Sequence, residues 1–270
     1  MKTRAITGIF FVAIMLGSFF AGPVVYSVFY GLLSLLCLQE FYRLLKQSGQ
    51  QPNIAVGLLN GLLLFTAFAC TFYLDAPISH KLLIVLIPAM SGIFVHELYK
   101  TGTAPFANIA YTFLGLIFTI VPFSFFHALA FAGPAGFNSH FPMAFLLMLW
   151  ANDTGAYLTG RQFGRTKLFE RHSPKKTWEG FIGGILISAI AGYIISIYFT
   201  ELPWRNWVSI AVIIGIVGTS GDLVESMFKR SINVKDSGGI LPGHGGLLDR
   251  FDGLLLAAPI VFAYLYFVLN

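Results

Sequence analysis

Apolar residues are gathered into nine long runs, at about 5–22, 24–45, 54–74, 82–99, 105–131, 141–160, 178–200, 204–221 and 253–269. Each is close to the roughly 20 residues that a helix needs to cross the hydrocarbon core of a bilayer. Backbone groups in lipid have no water to bond to, so each run must satisfy its own hydrogen bonds as a helix. Pro23, Pro52, Pro77, Pro134 and Pro203 fall between runs, where a helix has to stop. The pattern predicts an all-α, polytopic integral membrane helical bundle of about nine transmembrane helices.

Composition agrees. Of 270 residues, 56% are hydrophobic and 11% charged, against about 25% charged in a soluble domain. The net charge is +5. In a soluble protein that excess would suggest nucleic acid. Here it belongs to the membrane face, and no nucleic-acid partner is expected. Cys37 and Cys70 lie in apolar runs and form neither a disulfide framework nor a metal motif. The first run, after Lys2 and Arg4, resembles a signal peptide with small residues at Ala21-Gly22, but no polar stretch separates it from the second run. It is taken as a retained helix.

Charge sets the orientation. With the N-terminus inside and nine spans alternating, all but two of the 17 basic residues fall on the inner side, the exceptions being Lys81 and Arg205. This follows the positive-inside rule and implies a cell-membrane protein with its chemistry facing the cytoplasm. Residues 1–140 form an N-terminal region of about five spans. Residues 141–270 hold the polar chemistry, with cytoplasmic loops at 161–177 and 222–252.

Four constellations carry that chemistry. Asp222, Glu225, Ser226 and Lys229 are spaced to share one helix face. Carboxylates with bases one turn away suit metal and phosphate, although a helix end meeting water has the same composition. Five glycines between 238 and 246 let backbone N–H groups approach an anion, yet the stretch lacks the ending of a Walker A loop. Asp249 and Asp252 follow one turn apart. Mg²⁺ prefers carboxylate oxygens together with substrate phosphates, and acids from two adjoining spans could supply such a site. Ser173-Pro174 predicts a helix start, which would put Lys175 and Lys176 near a positive helix end. Asp153 stands inside an apolar run, where an acid is costly and usually functional. Glu40 and Glu97 are ranked below it, because they sit near span ends and can snorkel.

Together these residues resemble the phosphatidate cytidylyltransferase (CDP-diacylglycerol synthase) family. Its signature, S-x-x-K-R-x4-K-D followed by P-x-H-G-G-x-x-D-R-x-D, is matched by Ser226, Lys229, Arg230, Lys235, Asp236, Pro242, His244, Gly245, Gly246, Asp249, Arg250 and Asp252. The stretch 173–177 and the Asp153 region are also similar to it. Residues 1–140 match only in being apolar. The resemblance implies transfer of a cytidylyl group from CTP to phosphatidate, giving CDP-diacylglycerol and pyrophosphate in phospholipid biosynthesis.

On this reading Asp222, Asp249, Lys229, Arg250 and His244 are the catalytic set. Ser173, Lys175, Lys176, Ser226, Arg230, Lys235, Gly245 and Gly246 bind substrate. Asp222, Asp249, Glu225, Asp252 and Asp153 are the candidate ligands for Mg²⁺, with a second cation and a homo-oligomer left open. Two other classes fit the composition: another membrane lipid phosphotransferase or kinase, and an ion-coupled transporter. A transporter would spread its polarity over two halves, whereas here it is concentrated in the second.

Overall fold

The computed structural model describes every residue except 1, 135, 235, 236, 239–244 and 270, and omits the side chains of 2–7 and 9. Among the described residues the chain forms nine helical rods, one for each apolar run. They are α1 (Lys2–Phe20), α2 (Pro23–Gln47), α3 (Ile54–Cys70), α4 (Ala76–Leu98), α5 (Pro105–Leu129), α6 (His140–Phe163), α7 (Trp178–Tyr198), α8 (Trp204–Ser231) and α9 (Leu248–Leu269). Six of them, α2, α4, α5, α7, α8 and α9, are long and apolar enough to cross a membrane. The architecture is an all-α, multi-pass membrane fold.

The loop expectations need correcting. Both ends of the segment 222–252 are helical, because α8 runs on to Ser231 and α9 begins at Leu248. The polar face of Asp222, Glu225 and Lys229 extends α8 beyond its apolar run. Ser173-Pro174 does not open a helix. Residues Ser173–Thr177 form strand β2, antiparallel to β1 (Lys167–Phe169). The helix start lies at Trp178, where the Thr177 hydroxyl accepts the Gly180 N–H at 3.2 Å and acts as the N-cap. The Glu179 carboxylate accepts the N–H groups of Arg165 and Thr166, both at 3.1 Å, and fastens the entry to the hairpin.

The chain divides into two units, residues 1–128 with 232–249, and residues 129–231 with 250–270. The first has an aromatic core. Tyr26 and Tyr30 are fully buried with ring centroids 4.9 Å apart, and Tyr26 Oη donates to the Phe126 carbonyl at 2.9 Å. Tyr42 donates to the Thr112 carbonyl at 2.6 Å. Its ring fills the space left by Gly57 and Gly115, and a π turn at Leu116–Ile120 follows directly in α5.

In the second unit small residues set the helix crossings. Gly180, Gly184, Ser188 and Gly192 recur every fourth position on α7. Gly180 and Gly184 meet the α6 backbone at Ala156 and Asn152, and Gly192 meets Trp207 of α8. Ser188 donates to the carbonyls of Met148 and Ala211, at 3.0 and 3.3 Å. Membrane helices approach closely where side chains are small. Ile182, Leu186, Ile190 and Ile197 are exposed, a surface that suits lipid rather than water.

Candidate active site

The α7 crossings place the end of α6 and the end of α8 around one cavity of about 370 Å³ in the second unit. Asp153, Tyr157 and Arg161 of α6 line it at four-residue spacing, as one helix face must. Lys175 and Lys176 enter from β2, and Thr219 and Asp222 from α8. Lys176 Nζ lies 2.5 Å from Asp222 Oδ2, and Ser226 Oγ donates to Asp222 Oδ1 at 3.3 Å. Lys229 Nζ lies 2.6 Å from the carboxylate of Glu225, one turn back on the same helix, and Glu225 is fully buried.

Glycines bring the acids together. A side chain on Gly221 would strike the backbone of Asp252, and Gly218 and Gly253 close the same crossing of α8 and α9. Asp222 and Asp252 adjoin those glycines, and Asp252 lies within electrostatic reach of Asp222, Asp153 and Glu225. Four carboxylates thus gather on three neighbouring helices.

Their chemistry fits a hard divalent cation, which takes carboxylate oxygens, and crowded acids need positive charge. Asp153, Asp222 and Asp252 would hold such an ion, with Glu225 beside them. Among the described residues no three of these groups already converge at ligand spacing. Asp222 is turned to Lys176 and Glu225 to Lys229 instead.

The remaining predicted residues are distributed as follows. Ser173 pairs with Phe169 in the hairpin. Arg230 lines a shallow depression with Arg171 and His172. Arg250 is exposed in the first turn of α9. Asp249, Gly245 and Gly246 belong to the first unit. There Asp249 Oδ2 accepts the N–H of Ser237 at 3.2 Å and of Gly246 at 3.1 Å. The Gly246 N–H is therefore engaged within the loop, and Gly245 supplies the turn with φ +81°. Lys235, Asp236, Pro242 and His244 lie outside the described residues.

Sequence reasoning missed several groups. Tyr157 and Arg161 follow Asp153 by four and eight positions, a signal that was present. Asn152 is 1% exposed, and its Oδ1 has no hydrogen-bond partner among the described residues. It is wedged where Gly184 and Gly215 leave room, and no sequence rule points to it. Glu40 and Glu97 do not snorkel. They are 2% and 3% exposed, because each has donors waiting in the core: the Leu248 N–H for Glu40, and the amides of Asn53 and Asn108 for Glu97.

The model of the cytidylyltransferase family matches residues 2–268. The phosphatidate cytidylyltransferase of Staphylococcus aureus strain COL is 33% identical over 267 residues, covering 97% of each chain. That of Staphylococcus haemolyticus is 35% identical over 264 residues, again 97% of each. That of Staphylococcus saprophyticus is 33% identical over 281 aligned positions with the same coverage. A family match over nearly the whole chain, joined to relatives of equal length, is decisive: the chain belongs to the cytidylyltransferase family.

Proposed function

We propose that this protein transfers the cytidylyl group of CTP to phosphatidate, giving CDP-diacylglycerol and pyrophosphate. The observation that carries the reading is the second unit's cavity, where Lys175, Lys176 and Arg161 face Asp153 and Asp222 at the end of membrane helices. One substrate is a lipid that stays in the bilayer. The other is a soluble polyanion. A charged cavity opening at helix ends serves both.

In the reaction an oxygen of the lipid phosphate attacks the α-phosphorus of CTP. A new P–O–P linkage forms, the bond from the α-phosphorus to the β-phosphate oxygen breaks, and pyrophosphate leaves with that electron pair. The attacking phosphate is already ionised near pH 7, so the step needs no protein nucleophile. Catalysis is positioning and charge neutralisation. Lys175, Lys176 and Arg161 bind phosphate oxygens, with Arg161 able to engage two at once. Asp153, Asp222 and Asp252 would hold a divalent metal, which we take to be Mg²⁺, and such a metal would supply charge neutralisation at the phosphates. Ser226 orients Asp222 through its hydrogen bond.

Incubation of the purified protein with phosphatidate and CTP labelled at either the α- or the γ-phosphate tests the assignment. Label from the α-position should enter lipid and label from the γ-position should leave as pyrophosphate. Entry of γ-label into lipid would instead mean a kinase. The distribution of basic residues supports a cavity on the cytoplasmic face of the cell membrane. A single cysteine introduced in the segment 164–177 should then react with an impermeant reagent only after the cytoplasmic side is opened. Labelling in intact cells would reverse the topology.

A further inference from the structure

Glu40 of α2 has no part in the cavity above, yet it is 2% exposed in the core of the first unit. Its Oε2 accepts the Leu248 N–H at 2.9 Å. Leu248 is the first residue of α9, and the opening N–H groups of a helix have no partner within it. A cap normally comes from a Ser, Thr, Asp or Asn just before the helix, but that position holds Leu247. The cap comes instead from another helix, 208 residues away in sequence.

Among the described residues the other carboxyl oxygen, Oε1, has no hydrogen-bond partner, and neither has Ser237 Oγ. A methyl group placed on Gly246 would press on both atoms, and one on Gly238 would press on Oε1. Glu40 thus fills a recess walled by Ser237, Gly238 and Gly246. Asp249 ties the same stretch from within, through the N–H groups of Ser237 and Gly246. A buried carboxyl is costly unless hydrogen-bonded, and an apolar residue would pack at position 40 without that cost. The structure instead spends it at the one place where the signature glycines meet the start of α9.

We propose that Glu40 is a positioning residue for cytidylyl transfer, acting through the backbone of residues 245–249 to fix the frame that carries Asp249. The proposal rests on the cytidylyl-transfer reading. Wild type, Glu40→Ala and Glu40→Gln are compared in lipid nanodiscs for CDP-diacylglycerol formation and for amide hydrogen exchange of a peptide containing Leu248. Glutamine keeps a carbonyl for the Leu248 N–H and alanine does not. Small misplacement of a catalytic frame costs ~100-fold in rate. Glu40→Ala should therefore lose kcat by about that factor, with KM for CTP within ~3-fold of wild type, as expected when a transition-state interaction is lost. Exchange at Leu248 should accelerate. Glu40→Gln should stay protected and recover kcat to within ~3-fold of wild type, since only the frame has to be kept. No product from wild type would sink the transfer reading itself. Active wild type with an unchanged Glu40→Ala, an alanine variant slow but still protected at Leu248, or a glutamine variant as slow as alanine would each sink the positioning role alone. Should Glu40→Ala fail to accumulate, Gly246→Ala probes the same recess by pushing a methyl onto Glu40 Oε1. It should lose kcat comparably, and a normal rate there would overturn the proposal.

Discussion

The polar cluster around Glu97 in the first unit and the one around Asp153 in the second are built in opposite ways. In the first unit Glu97 is closed. Its Oε2 accepts from Asn53 Nδ2 and its Oε1 from Asn108 Nδ2, both at 2.7 Å, and Lys100 Nζ lies 3.4 Å away. Lys100 in turn donates to Asn53 Oδ1 at 2.6 Å, and Thr112 Oγ1 accepts the Asn53 N–H at 2.9 Å. In the second unit Asp153 is open. The Asp153 carboxylate has only a 3.5 Å contact from Asn152 Nδ2 among the described hydrogen bonds, and it faces a cavity with Asp222. A network that satisfies every lone pair from its own chain locks helices together. One that leaves carboxylates and ammonium groups facing a void is organised for something that arrives from outside.

The sharpest way to break this contrast is to remove charge without changing shape. Asp222→Asn and Asp153→Asn, both at the cavity, should each lower turnover at least ~100-fold, about 2.7 kcal/mol of barrier, with protein yield in membranes nearly unchanged. Turnover measured against Mg²⁺ concentration checks it. Near-normal rates at limiting Mg²⁺ would remove both as ligands and leave Asp252 as the next candidate.

The closed cluster should respond the other way round. Glu97→Ala leaves the buried amides of Asn53 and Asn108 without their acceptor, a loss of about 1–3 kcal/mol for each such group. Thermal unfolding in detergent should shift down clearly, while kcat at a temperature where the fold persists should stay near wild type. A large kcat loss with unchanged stability would show that the first unit's cluster is not merely structural.

Much of this was legible in the sequence. The nine helical rods follow the nine apolar runs, because lipid forces each run to satisfy its own backbone. Asp153, Asp222 and Lys176 were found because charge is rare in such a chain and therefore conspicuous. Long-range pairings were not legible. Nothing local marks Glu40 as the cap of a helix two hundred residues on, or Glu97 as the acceptor for two asparagines from other helices. The β-hairpin was hidden because Ser-Pro serves a helix start and an edge strand equally well, and Thr177 rather than Ser173 turned out to be the cap. The crossing glycines were visible as letters, but which backbone each would meet was not.

A third test separates charge at the cavity from charge at the surface. Lys176→Met should lower kcat/KM for CTP by ~10-fold, about 1.4 kcal/mol, because it removes a phosphate-binding ammonium and leaves Asp222 unpaired. Lys46→Met removes the same charge from a depression lined by Lys46, His96 and Lys100 in the first unit and should change kcat/KM little. Arg250→Lys should also be impaired, since an ammonium cannot reproduce the bidentate fork. Equal losses at Lys176 and Lys46 would mean general surface attraction and no defined site.

The smallest effect is expected where polar groups are neither closed in nor facing a cavity. At the far end of α7 from the active site, Glu201 lies in the short α7–α8 connection and is hydrogen-bonded by His140 and by Asn138 Nδ2, the latter at 2.9 Å. Partial burial pushes its carboxyl up, but the bonds from Asn138, the backbone and His140 overrule it, and the net shift is downward from 4.5. A carboxyl whose folded pKa is depressed favours the folded state above its unfolded value. That contribution is complete above about pH 4.5 and fades as pH falls through the lower, folded value. The pair is partly exposed, His140 at 40% and Glu201 at 26% of the side chain, so its worth is about 0–1 kcal/mol. Glu201→Gln should therefore lower the melting temperature slightly at pH 7, and the difference from wild type should shrink as pH drops below 4.5. A gap that persists at acid pH would assign the effect to packing against Phe199, whose ring stacks on His140 at 4.0 Å, rather than to charge.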